Sequence, residues 1–271
     1  MLKEAVIDRL LAIGLLDDAD IALDLAALEL AAADRPGRRL DDALVMLDAL
    51  TVRLRAKAAG NLAVARAAAL VALLADAEGF TGDREDYDAP ANADFLSLLE
   101  RRRGLPITLA LLYVALARRL GWQADVLGVP GHVLVALESA GSQLILDPFA
   151  DGRVVPAGEL EAIIARALGR RVSLAREHVA PLSNRDALVR LLMNPATRAA
   201  RQGDEARALT LYRRMTAIAP ALPALWWERA RLERQAGDVE AARRSLVAMQ
   251  ETTRDPQLLE RIRIAVAALT R

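Results

Sequence analysis

The sequence predicts an α+β chain, mostly helical, in which a domain with a small antiparallel sheet is followed by an all-α repeat module. Three observations carry this reading. Apolar residues recur at three- and four-residue spacing through residues 1 to 93. Three short β-branched or leucine-rich runs follow Gly121. Gly203-Asp204 recurs as Gly237-Asp238, 34 residues later.

The N-terminal third predicts helices over residues 2–16, 19–33, 41–58 and 62–77, with Asp34-Arg35-Pro36-Gly37 and Gly60-Asn61 as breakers. A short helix from Asp94 ends at Arg101, Arg102 and Arg103. Pro106 suits the first position of the next helix, because its missing N–H costs nothing there and its φ is already helical. That helix runs to Leu120 and stops at Gly121. Its apolar stretch, Leu105 to Ala117, is well short of the roughly 20 residues that a bilayer needs, so it reads as a core helix. Strands follow over 124–129, 133–137 and 144–146, bounded by Pro130-Gly131, the segment 139–142 and Pro148. A hairpin centred on Ser139-Ala140 would set His132 opposite Asp147. Residues 170–183, with Pro181 and little periodicity, read as a joint. The expected domains are therefore 1–175, divided into a helical stretch over 1–93 and a helix-plus-sheet core over 94–175, and 184–271.

Composition narrows the function. The 36 acidic residues balance 36 Lys and Arg, so no concentrated basic surface is expected for nucleic acid or an anionic membrane. The N-terminal segment has acids within and after its apolar stretch and lacks the order of a signal peptide, so a cytoplasmic location is expected. The chain has no cysteine, and its histidines are His132 and His178. Disulfides, thiol chemistry and a zinc constellation are thereby excluded. The loop with Asp83, Glu85, Asp86 and Asp88 lacks the ligand spacing of a calcium loop. No metal and no cofactor is expected.

An aspartate that orients a histidine is two members of a nucleophilic triad, the carboxylate fixing the tautomer and stabilising the imidazolium. The sequence around this pair, with its helix after RRRGLP, its PGHVLV segment and its LDPF segment, resembles the transglutaminase-like (papain-type) core. GFTGDREDYDAPANADFLSLLERRRGLPITLALLY is more closely similar to the SirB-type bacterial family, which joins such a domain to tetratricopeptide repeats. The resemblance implies a catalytic cysteine at the start of the helix, about fifteen residues before the glycine that ends it, and this chain has Pro106 there. Thr108 is the nearest hydroxyl, but two residues along a helix turn a side chain by about 200°. Three readings of His132 and Asp147 stay open: a relic, a structural hydrogen bond, or an acid/base pair acting on water. Arg101, Arg102 and Arg103 are favourable charges at a helix C-terminus, or a clamp for a carboxylate or phosphate ligand. Arg153 has the same two readings.

The 34-residue spacing is the tetratricopeptide period. Ala208 and Ala242 lie five residues after each glycine, Tyr212 and Leu246 nine after, and Trp226 eleven before the second. Leu192 stands where tryptophan is typical. Two repeats and a capping helix over residues 257–270 are expected. The first helices of the repeats would line a groove for a protein or peptide partner, with Arg190, Asn194, Arg198 and Arg201 forming a polar stripe at spacings of three and four. The leading expectation is a non-catalytic interaction or regulatory protein. The alternative is a hydrolase or transferase that uses His132 and Asp147 with a non-cysteine nucleophile.

Overall fold

The computed structural model describes residues 2–35, 40–58 and 60–269, with residues 2–6 as backbone only. The chain divides into two compact units: a central one, Asp18–Leu188, and a terminal one that combines Met1–Asp17 with Val189–Arg271. The terminal unit begins with α1 (Leu2–Leu15).

The central unit follows the expected helices closely. These are α2 (Leu23–Ala32), α3 (Asp41–Lys57) and α4 (Ala63–Val71), the last continuing into a π-helical turn over Ala72–Ala77. Residues 19–22, expected as the start of the second helix, instead include a 3-10 turn at Asp18–Asp20. The Pro36-Gly37 breaker lies outside the described residues. In α3, Asp41 and Asp42 occupy the first turn and Arg55 and Lys57 the last, each complementing the helix dipole.

Next come β1 (Thr81–Gly82), α5 (Phe95–Arg101) and β2 (Arg103–Gly104), with β1 and β2 paired in parallel. Asp94 caps α5 by accepting from the Ser97 N–H at 2.6 Å, and Arg102 ends it at φ 62°. The helix expected to start at Pro106 does so: α6 (Pro106–Arg119) is buried without a break from Pro106 to Ala117.

A four-stranded antiparallel sheet in the order β3 (Gln123–Leu127), β4 (Leu134–Ser139), β5 (Ser142–Asp147) and β6 (Arg153–Val154) packs on α6. From the other face, α7 (Ala157–Leu168) sends Leu160 and Ile164 onto Leu127, Leu134 and Ala136. Covered from both sides, β4 is buried continuously from Leu134 to Leu137.

The hairpin register differs from the expected one. Val135 pairs with Leu146 and Ser139 with Ser142, so the turn is Ala140-Gly141 and every partner lies two residues further on. Both turn residues have positive φ, 50° and 74°, as a type I′ hairpin requires, with glycine in the second place.

In the terminal unit, α8 (Asn184–Arg201), which begins before the unit boundary, leads to α9 (Glu205–Ile218), α10 (Pro223–Gln235), α11 (Val239–Thr252) and α12 (Pro256–Ala268). The last helix was expected to reach Thr270, which lies outside the described residues. The turns before α9 and α11 are copies of one another. Gly203 and Gly237 have φ of 75° and 80°. Asp204 and Asp238 each accept from the N–H three residues on, at 2.9 Å, capping the following helix. Ala208 and Ala242 are both buried. α1 packs along α9, and a Cβ on Gly14 would collide with the Ala217 carbonyl oxygen.

Candidate functional site

Asp147 is held from every side. It ends β5 and caps the 3-10 turn Pro148–Ala150: its Oδ1 accepts from the N–H groups of Phe149 at 3.1 Å and Ala150 at 3.2 Å. Its Oδ2 lies 3.0 Å from His132 Nε2 and 3.9 Å from an Arg153 guanidinium nitrogen. Burial pushes this carboxyl upward. The hydrogen bond and charge of His132, the Ala150 N–H and the charge of Arg153 together outweigh that and hold it below the usual carboxylate range.

The expected His132–Asp147 contact is therefore present, but not as a cross-strand pair. His132 precedes β4, in a turn closed by its own N–H donating to the Val129 carbonyl at 3.0 Å. In the neutral ring, an ionised carboxylate at Nε2 makes that nitrogen the one that carries the proton and leaves the lone pair on Nδ1. Among the described residues Nδ1 has no hydrogen-bond partner.

The start of α6 supplies no nucleophile from its hydroxyl. Thr108 is fully buried, and its Oγ1 donates to the Asn92 carbonyl at 2.8 Å. Pro106 lies two turns before Tyr113 and on nearly the same face, seven residues turning about 20° short of two full circles. Tyr113 reaches the segment that follows Asp147, where a Cβ on Gly152 would lie 2.8 Å from its hydroxyl oxygen. That hydroxyl is buried and has no hydrogen-bond partner among the described residues. Burial, and after it the charges of Asp151, Asp76 and Asp147, push its pKa upward.

The arginines singled out from the sequence are placed as follows. Arg101 donates to Asn92 Oδ1 at 3.0 Å and to Asp83 Oδ2 at 3.3 Å. Arg102 pairs with Glu78 at 3.2 Å and lies over the Phe80 ring at 4.5 Å. Arg153 grips Glu159 through both terminal nitrogens, one of them at 2.6 Å, while staying near Asp147. Arg103 is exposed and has no ion pair among the described residues. Arg101 and Arg102 are thus tied to separate partners, and the trio does not converge as one clamp. In α8, Arg190 and Arg201 are exposed and Asn194 and Arg198 half-buried.

Sequence reasoning missed an aromatic wall beside the histidine. Phe149 stands edge-on to His132 at 6.4 Å, and Tyr87 edge-on to Phe149 at 5.7 Å. Arg84 reaches the Phe149 carbonyl at 3.4 Å, so the acidic loop after β1 borders this site. A Cβ on Gly82 would collide with the Phe149 ring; the glycine lets β1 approach the wall. The adjacency of Phe149 to Asp147-Pro148 was the available signal. Among the described residues no cluster of three or more His, Cys, Asp or Glu is placed to hold a metal, and no helix is long and apolar enough to cross a membrane.

Comparison with known proteins adds a family likeness. A family model described as "Transglutaminase-like superfamily" matches residues 41–193, more than half of the chain. A UPF0162 protein of Xylella fastidiosa (strain 9a5c) is 33% identical over 171 residues, covering 62% of this chain and 61% of that protein. The chain thus spans less than two thirds of that relative's length. A UPF0162 protein of Pseudomonas aeruginosa is 29% identical over 246 residues, 89% of this chain and 90% of the relative. F-box only protein 21 of Homo sapiens is 30% identical over 102 residues, 35% of this chain and 16% of that protein.

Proposed function

The chain belongs to the transglutaminase-like superfamily, and we propose that within it this is a non-catalytic member, a cytoplasmic interaction or regulatory protein. One observation carries the reading: the chain contains no cysteine, and the helix that would present the nucleophile opens on Pro106. A proline has no group that can attack a carbonyl, and acyl transfer by a Cys-His-Asp triad needs a thiolate. His132 and Asp147 then serve the fold, the carboxylate tying the His132 turn to the Phe149 turn.

The finer assignment, a SirB-type protein with tetratricopeptide repeats, is supported by the two matching glycine-aspartate turns. On this reading a protein or peptide partner lies along α8 and α10, against the stripe of Arg190, Asn194, Arg198 and Arg201.

A second reading has one observation in its favour. Asp147 fixes the imidazole through Nε2 and leaves the Nδ1 lone pair without a partner among the described residues, as a general base acting on water requires.

The deciding experiment compares wild type, Pro106→Cys and His132→Ala with glutamine-amide and ester substrates and with a thiol-directed acylating reagent. The expected result is no wild-type turnover, and thiol labelling of Pro106→Cys without efficient turnover. Wild-type turnover that disappears in His132→Ala would overturn the non-catalytic reading and establish the second.

A further inference from the structure

Between α10, α11 and α12 lies a cavity of about 410 Å³, inside the range of roughly 300–1,000 Å³ typical of ligand sites. Its lining falls into two chemical regions. Trp227, Ala230, Leu246 and Ala265 make an apolar floor, while Arg231, Arg234 and Arg261 stand around it. No acidic residue among the described ones lines it.

The three guanidiniums are not equivalent. Arg231 is already engaged by Glu228 at 2.8 Å and Gln235 at 2.6 Å. The Arg261 guanidinium carbon stands over the Trp227 ring, 4.6 Å from its centroid. A contact with a ring face leaves the guanidinium's charge unneutralised and its N–H groups able to grip a carboxylate. Arg234 is exposed, and its guanidinium has no partner among the described residues. Two cationic forks therefore stand beside one apolar hollow, and no described residue is ion-paired with either of them.

We propose that this cavity binds an acidic peptide segment of a partner protein. One large apolar side chain of the peptide sits on the floor made by Ala230, Leu246 and Ala265, and neighbouring carboxylates are held by Arg234 and Arg261. The charge of the rim selects an anionic occupant. The shape favours a peptide over a free fatty acid: Ile264, on the rim, is 57% exposed, so the hollow is open along that side and suits a single side chain rather than an acyl chain needing a closed sleeve. Anchoring one apolar group in a groove between helices, with charge around it, is a recurring mode of peptide recognition. The site uses neither His132 nor the α8 stripe, so it stands or falls apart from both.

The test is fluorescence anisotropy with the full chain and a labelled glutamate-rich peptide carrying one phenylalanine. Matched peptides replace the phenylalanine by serine or the glutamates by glutamine, and dodecanoate is the competitor. Arg234→Glu and Ile264→Glu both change exposed residues, so the fold should survive; circular dichroism checks it. The expected result is binding that weakens with salt, falls at least about tenfold in either variant and with either altered peptide, and is unaffected by Arg190→Glu with Arg198→Glu. The proposal is overturned if wild type does not bind the peptide, if both pocket variants bind it as wild type does, or if dodecanoate binds and the peptide does not. Loss only in the Arg190/Arg198 variant would assign binding to α8 and likewise overturn it.

Discussion

Replacing Asp147 by alanine and by asparagine separates the two jobs this carboxylate performs. Alanine removes the cap on the Pro148–Ala150 turn, so two backbone N–H groups lose their acceptor, and it strips His132 Nε2 of its partner. Loss of a cap costs about 1 kcal/mol, and loss of a hydrogen bond to a buried charged group about 2 kcal/mol. The sum, about 3 kcal/mol, corresponds to roughly a hundredfold faster amide exchange along β4 and β5 where exchange proceeds by unfolding of the central unit. Asparagine keeps an oxygen for both backbone groups. It turns an amide toward His132, whose ring can accept once its proton moves to Nδ1, so the cost is about 1 kcal/mol. Native-state hydrogen exchange gives the free energies, and the ring ¹⁵N shifts of His132 report the tautomer. The wild-type ring should be protonated on Nε2, and the Asp147→Asn ring should shift toward Nδ1. The folded carboxyl titrates below its unfolded value of about 3.9, so folding favours its ionised form. Its contribution is complete above that value and is lost as pH falls through the folded pKa; the gap between wild type and Asp147→Asn should close over the same window. Equal exchange rates in wild type and Asp147→Ala would refute the structural role.

Thr108→Val should lower the stability of the central unit by about 1 kcal/mol, toward the small end of such losses, because the Asn92 carbonyl still accepts from the Leu105 N–H at 3.0 Å. Urea denaturation measures it, and a variant that abolished a catalytic activity while keeping this stability would make Thr108 a nucleophile after all. Glu233, 0% exposed, accepts from Arg229 Nε at 2.9 Å and Ser245 Oγ at 2.6 Å; Glu233→Ala should cost the terminal unit about 3 kcal/mol by leaving these donors unmatched. A midpoint within experimental error of wild type would show that the network is dispensable.

Periodicity made most helices legible, and the Pro106 start of one helix and the end of its predecessor at Arg101, Arg102 and Arg103 were visible in residue chemistry alone. The hairpin register was not. Moving every partner by two residues keeps each side chain on its own face, so hydrophobic alternation fits both registers equally. Only the backbone demand of a two-residue turn distinguishes them, and Gly141 was the residue that met it, with Ala140 accepting a conformation that a non-glycine rarely adopts. His132 still met Asp147 because the chain before β4 folds into a turn. The fates of Arg101 and Arg102 were hidden for a different reason. Their partners Asp83, Asn92 and Glu78 come within reach through the parallel pairing of β1 with β2, and no local pattern announces a pair of two-residue strands. The wall of Phe149 and Tyr87 depended on the same approach.

The close seat of α1 on α9 gives the chain an order of events in time. A ribosome releases α1 before α9, and α9 follows only after the whole of Asp18–Leu188 has been made. At about 5–20 residues per second, synthesis of that stretch takes roughly ten to thirty seconds. During that interval α1 has no permanent seat, while the central unit, continuous in sequence, can fold to completion. The newborn chain therefore carries a waiting helical segment, with Ile7 and Leu11 among its apolar residues, until the final helices arrive. A fragment cut at residue 184 would have the converse defect, an α9 surface with no α1 to cover it, and would be a poor stand-in for the terminal unit in any binding experiment.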